Sequence, residues 1–233
     1  MNIVTERLLL RPVVESDDKD IFAYAQEPNV GPNAGWKPHE SIEETREIMQ
    51  QIFIGQENVF AIVKDKLVIG TIGLVPDPKR DNERSMMLGY AISERFWGQG
   101  LMTEAARAVI SYGFEQLELE LIAAYCYPHN QRSQSVLRKC GFVYEGKLRQ
   151  ASRLYDGNIL DDLCYSLMPV SYTHLEATDE DINAQISEIA ARYWLPEEKV
   201  KEILSDGGRK MCIRDSLFAA AENKELVKEL ANL

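Results

Sequence analysis

Long apolar runs are missing from this sequence. The longest, Leu121 to Tyr127, falls far short of the ~20 residues that a bilayer-spanning helix needs, so no membrane partner is expected. Histidine is scarce, at 3 residues, and the 4 cysteines (Cys126, Cys140, Cys164 and Cys212) include no Cys-x-x-Cys pair. With neither ligand type clustered, no metal site is expected, and the cysteines read as buried free thiols. Positive charge is in deficit: 26 Lys and Arg face 37 Asp and Glu, a net charge of −11. Such a chain repels phosphate backbones, which disfavours nucleic acid as a partner, while a cationic amine remains compatible. Glycine and proline are few as well, 14 and 9 among 233 residues, and the 45% hydrophobic share suits a globular core. Collagen-like and wholly disordered chains are thereby excluded. The opening Met1-Asn2-Ile3-Val4-Thr5-Glu6-Arg7 lacks the basic-then-apolar order of a secretion signal, so a soluble cytoplasmic protein is expected.

What is present divides near Met168-Pro169-Val170, giving a larger domain over 1–169 and an appendage over 170–233. Leu8-Leu9-Leu10 before Pro12 reads as an opening strand. Helices follow around Asp17–Gln26 and Ser41–Ile54, the second with Ser41 as N-cap and Glu44 completing a capping box. Val59–Val63 and Leu67–Val75 flank a hairpin signal, and Met86–Ile92 is a further strand. Between Leu101 and Leu117, Met102, Ala105, Ala106, Val109, Ile110, Gly113 and Phe114 recur at helical spacing. Leu121–Tyr127 suits a strand covered on both faces, and a short helix over Gln131–Lys139 should stop at Gly141. Strand-like runs at Phe142–Leu148 and Ile159–Met168 close the domain. An antiparallel meander leading into strand–helix–strand implies a mixed α/β (α+β) fold, with helices on both faces of a mostly antiparallel sheet.

The most informative string is Arg95-Phe96-Trp97-Gly98-Gln99-Gly100-Leu101-Met102-Thr103, set between a strand and the longest helix. Gly98 and Gly100 allow a tight turn, and the first-turn N–H groups of the helix have no intrahelical partners. With the positive end of the helix dipole, this loop is a cradle for a pyrophosphate, to which Arg95 adds a cation. The third glycine of a dinucleotide fingerprint is absent near Thr103, and so is the Gly-Lys-Ser/Thr of a P-loop.

Over residues 5–168 the chain resembles the GNAT superfamily of N-acetyltransferases, in its RimJ/RimL-type branch. Thr5-Glu6-Arg7-Leu8-Leu9-Leu10-Arg11-Pro12 resembles that branch's first strand. Gly89-Tyr90-Ala91-Ile92 followed by Arg95-Phe96-Trp97-Gly98-Gln99-Gly100 resembles its acetyl-CoA motif. Asn130-Gln131-Arg132-Ser133 and then Gly141-Phe142 resemble its Asn-x-x-Ser…Gly-Phe signature. The resemblance implies a GNAT fold and acetyl transfer from acetyl-CoA to a primary amine, above all a protein or peptide N-terminal amine of the ribosomal-protein type. A small-molecule acetyltransferase for polyamine or drug amines and a non-catalytic CoA-binding module are the alternatives. It also implies that the backbone from Tyr90 to Ile92 pairs with the pantetheine arm and offers an oxyanion donor. The segment Gly98, Gln99, Gly100, Leu101, Met102 and Thr103 would hold the pyrophosphate, and Asn130 would contact the pantetheine side. A homodimer is left open.

Ser133 is the catalytic candidate, as donor to the departing thiolate; a helix-cap hydroxyl is the alternative reading. The tyrosine that many relatives carry in this helix is Leu137 here. Their glutamates correspond to Met87 and Ser152, so proton loss from the amine is expected to run through water. Glu145, Asp156, Asp161 and Asp162 are expected to be solvated surface groups. Trp36 is the candidate acceptor-pocket wall, His39 and His129 read as structural, and Tyr125 and Tyr127 read as packing.

From Leu175 onward the pattern is all helical and loosely resembles the C-terminal region of trigger factor, which would make a chaperone-like binding protein. Its seams, 169–175 and 210–216, read as translated sequencing-adapter remnants, so the appendage is expected to be an assembly artefact.

Overall fold

The computed structural model describes residues 1–169 together with Glu197 and Glu198. The expectations for the helical appendage and its two seams lie outside the described residues. Met1–Pro169 is one compact unit.

Its elements run β1 (Ile3–Val4), β2 (Leu9–Pro12), α1 (Asp18–Ala25), α2 (Val30–Ala34), α3 (Ile42–Ile52), β3 (Val59–Lys64) and β4 (Leu67–Pro76). Then come β5 (Ser85–Ile92), α4 (Leu101–Glu115), β6 (Leu121–Cys126), α5 (Gln131–Lys139), β7 (Val143–Arg153) and β8 (Ile159–Leu167). One 8-stranded sheet results, in the order β1-β2-β3-β4-β5-β6-β8-β7. Every pairing is antiparallel except β5 with β6. This is the mixed, mostly antiparallel sheet expected above.

Local chemistry explains most boundaries. Asp65 and Lys66 both adopt positive φ (51° and 68°) and pair Lys64 with Leu67, a two-residue turn whose twist matches that of the strands. Ser41 caps α3, its Oγ accepting from Glu44 N at 3.1 Å. Glu44 reaches back one residue beyond the cap, accepting from Glu40 N at 2.6 Å. Asn130 caps α5 in the same way, accepting from Ser133 N at 3.0 Å, and Gly141 (φ 84°) ends it.

Strand alternation places helices on both faces. The Phe60 ring meets Tyr112 of α4 edge-on at 5.7 Å, while its neighbour Ala61 joins the buried cluster of Ile21, Tyr24, Met49 and Val68 beneath α1 and α3. In α4, Gly113 is where helix and sheet come closest: an added Cβ would lie 2.8 Å from Leu74 Cδ1. Helical propensity there yields to packing.

The feature that positions the site is the parallel pair. β5 and β6 are in register only from Ser85–Met87 against Leu121–Ala123. Beyond that the two strands part, while β5 stays paired to β4 as far as Ile92. The separation leaves one edge of β5 facing a cleft between α4 and α5.

Candidate active site

The cleft has a volume of about 220 Å³. One side is the end of β5 (Tyr90, Ala91, Ile92) with the loop Phe96, Trp97, Gly98 and Gly100 and the helix start Leu101, Met102, Thr103. The facing side is α5 with its cap, and Val30, Asn33 and Ala34 of α2 close the end.

The loop is fixed from both ends. Glu27 accepts from Ser93 Oγ at 2.8 Å and from Glu94 N at 2.6 Å, holding the helical turn Glu94–Phe96. Trp97 Nε1 donates to the Ile92 carbonyl at 2.9 Å. Gly98 and Gly100 then both take φ 76°, a region that costs an L-residue about 1–2 kcal/mol. Nothing lies within 4 Å of where a Cβ on Gly98 would project. Glu104 N makes the first bond of α4, to the Gly100 carbonyl at 3.0 Å, leaving the amides of Leu101, Met102 and Thr103 as the helix's open donors.

Opposite them, α5 presents Arg132, Val136 and Lys139, three and four residues apart and thus on one helical face. The Arg132 guanidinium lies 4.3 Å above the Trp97 ring, a contact across the cleft worth about 1 kcal/mol. Two cations beside open amides are what an anionic ligand requires.

Of the candidates read from sequence, Tyr90, Ile92, Gly98, Gly100, Leu101, Met102, Thr103, Asn130 and Ser133 converge on this cleft. Three do not. Arg95 lies near the Phe96 ring, 5.8 Å away, and its carbonyl accepts from Gln99 Nε2 at 3.0 Å, so the two side chains serve the turn itself. Trp36 packs beside the α1–α3 cluster, 5.2 Å from the His39 ring, under a turn closed by its N–H to the Gly31 carbonyl at 3.0 Å. The sequence reading passed over Trp97, Arg132 and Lys139. The spacing of the two cations on α5 was the available signal.

Ser133 does not cap its helix, because Asn130 does. Its Oγ instead meets the Tyr90 hydroxyl at 2.8 Å. Burial raises the Tyr90 phenol above its ordinary value, and the bond to Ser133 offsets part of that. Asn130 is engaged twice, through its cap bond and through Nδ2, which donates to the Asn33 carbonyl at 3.0 Å and ties α5 to α2.

Asp162 is a correction. Expected to be solvated, it is 3% exposed, paired with Lys79, and accepts from Ser152 Oγ at 2.9 Å on both oxygens. Tyr125 donates to Asp77 at 2.8 Å beneath the Lys79 ammonium. His39 is buried, with Nδ1 2.8 Å from Thr45 Oγ1, and burial lowers its pKa. The described thiols are free and buried. Burial raises Cys126 to about 11 and Cys140 to about 12, which keeps both as unreactive thiols near neutrality. Among the described residues there is no metal-ligating cluster and no helix long and apolar enough to cross a membrane.

Residues 7–143 match the acetyltransferase (GNAT) domain. The chain belongs to the GNAT acetyltransferase family. It is 31% identical over 177 residues to the N-acetyltransferase p20 of Bacillus licheniformis, covering 73% of this chain and 97% of that one. It is 28% identical over 160 residues to the ribosomal-protein-serine acetyltransferase of Escherichia coli, covering 66% of this chain and 88% of the relative. Among solved structures, a GNAT-family acetyltransferase from Bacillus anthracis superposes with a TM-score of 0.64 at 25% identity, over 72% of this chain and 98% of that one. The chain is thus an acetyl-CoA-dependent N-acetyltransferase. The family match stops at residue 143 and lends no support to the trigger-factor likeness of the appendage.

Proposed function

We propose that this enzyme acetylates the N-terminal amine of a protein or peptide, of the ribosomal-protein type, and that the cleft beside β5 is where the transfer occurs. The observation that carries the site is the splay of β5 from β6 next to a doubly left-handed glycine loop that opens a helix. The residues fit the cosubstrate: the open amides from Leu101 to Thr103, the empty space at Gly98, and the cations Arg132 and Lys139 suit its phosphates. The free edge of β5 from Tyr90 to Ile92 suits an amide-bearing arm that pairs like an added strand, and Asn130 frames that arm by joining α5 to α2. Acetyl-CoA, when bound, supplies an acetyl thioester.

The chain's own part is then positional. A backbone N–H near Tyr90–Ile92 stabilises negative charge developing on the acetyl oxygen. The Tyr90 hydroxyl orients Ser133, whose Oγ donates toward the departing sulfur. Water carries away the amine's proton.

For the acceptor, the similarity to the ribosomal-protein-serine acetyltransferase favours a protein N-terminus. The test is thiol release from acetyl-CoA with a panel of Ser- and Ala-initiated peptides and of polyamines. Peptides should give the higher kcat/KM. Higher values for the polyamines would overturn the acceptor assignment, and no release with any amine would overturn the catalytic one.

A further inference from the structure

A carboxylate belongs to the helix turn whose amides are to bind an anion. Glu104 is in the first turn of α4, where a carboxylate competes with an anionic ligand for the positive end of the helix dipole. In this molecule it is turned away. Its Oε1 accepts from Thr5 Oγ1 at 2.6 Å and from Arg7 N at 2.8 Å, and its Oε2 accepts from Arg7 Nε at 2.6 Å. Burial would raise this carboxyl, but the bonds from Thr5 and Arg7 prevail and hold it below the ordinary carboxylate value. The same guanidinium reaches the loop: Nη1 donates to the Gln99 carbonyl at 3.1 Å, between the two left-handed glycines. Nη2 lies 3.7 Å from where a Cβ on Gly100 would sit.

We propose that Thr5 and Arg7, from the segment between β1 and β2, form a tether that keeps Glu104 off the diphosphate site and locks the glycine loop in its binding shape. The proposal rests on the reading that this loop grips a diphosphate. Arg7 and Glu104 are positioning residues; neither lines the cleft. The two halves of the tether act together. The hydrogen bonds fix the loop, and the guanidinium neutralises the acid of the helix's first turn.

The experiment is calorimetric titration of CoA into the full chain as wild type, Arg7→Ala, Glu104→Ala and the Arg7→Ala/Glu104→Ala pair, with thermal unfolding of each. Initial rates with acetyl-CoA and with S-acetylpantetheine, which lacks the diphosphate, accompany it. Arg7→Ala should weaken CoA roughly tenfold, because Glu104, still held through Oε1 by Thr5 and the residue-7 amide but no longer neutralised, then repels the diphosphate. Removing Glu104 in that background should restore part of the loss, which a merely structural role would not do. The kcat/KM for S-acetylpantetheine should stay at the wild-type level in Arg7→Ala. A double variant as weak as Arg7→Ala or weaker, an unchanged CoA affinity in Arg7→Ala, or an equal fall with S-acetylpantetheine would each overturn the tether. A wild type that uses S-acetylpantetheine as well as acetyl-CoA would overturn the diphosphate reading itself, and the tether with it.

Discussion

The α4 side of the cleft is made of backbone: two left-handed glycines and the open amides of a helix start, with little side chain in between. Away from the cleft, from Trp36 to the β7–β8 arm, the structure is held by side-chain partnerships between distant elements. There Trp36 lies 5.2 Å from the His39 ring, and Asp162 holds Lys79 and Ser152. The first construction is built to meet a ligand that is always the same, and backbone geometry leaves it little freedom. The second can be rebuilt one residue at a time, and we propose that acceptor choice is decided there. Perturbations should therefore separate: changes on the α4–α5 side should alter coenzyme affinity or chemistry, and changes on the other should alter stability or acceptor preference.

The largest effect that would sharpen this contrast belongs to the hydroxyl pair. Ser133→Ala should lower kcat about 100-fold with CoA affinity nearly unchanged, and Tyr90→Phe less, as steady-state rates beside calorimetry would show. Loss of CoA binding in Ser133→Ala would place that residue in the cradle instead. Next, Trp36→Ala should lower stability by about 2 kcal/mol in denaturant unfolding, since it empties packing beside the α1–α3 cluster. Its CoA dissociation constant should stay at the wild-type value; a large weakening would erase the distinction between the two sides. Arg132→Gln should weaken CoA roughly fivefold, and raised salt should narrow the gap.

The smallest expected effect is a pH dependence. His39 titrates below its ordinary value of about 6.5 because it is buried, so the unfolded chain takes up a proton that the folded one resists. Its contribution is present above about pH 6.5 and is lost as pH falls towards the folded value. Unfolding midpoints should thus fall between pH 7 and 5.5, and His39→Gln should flatten that slope without touching coenzyme affinity.

How much of this was legible in the sequence follows the same division. α5 was read to the residue because Asn130 and Gly141 mark both of its ends, and Gly98 and Gly100 announced the loop. The five-residue α2 went unseen, since Val30–Ala34 contains Pro32 and is too short to show a period. β7 ran on to Arg153, five residues past the expected Leu148, because an exposed edge strand carries no alternation of burial. Asp162 was misjudged because its charge partner, Lys79, is 83 residues away and only the sheet brings them together. Trp36 illustrates the converse: an aromatic in a loop reads alike whether it faces a pocket or a packed cluster.

The most direct measurement is calorimetric titration of acetyl-CoA into the wild-type chain and into Gly98→Val. A valine at φ 76°, with open space ahead of it, should leave the fold standing but project into the cleft. Saturable binding by the wild type and at least ~100-fold weaker binding by the folded variant are expected. Equal affinity for the two proteins, or no binding heat from a well-folded wild type, would contradict the account.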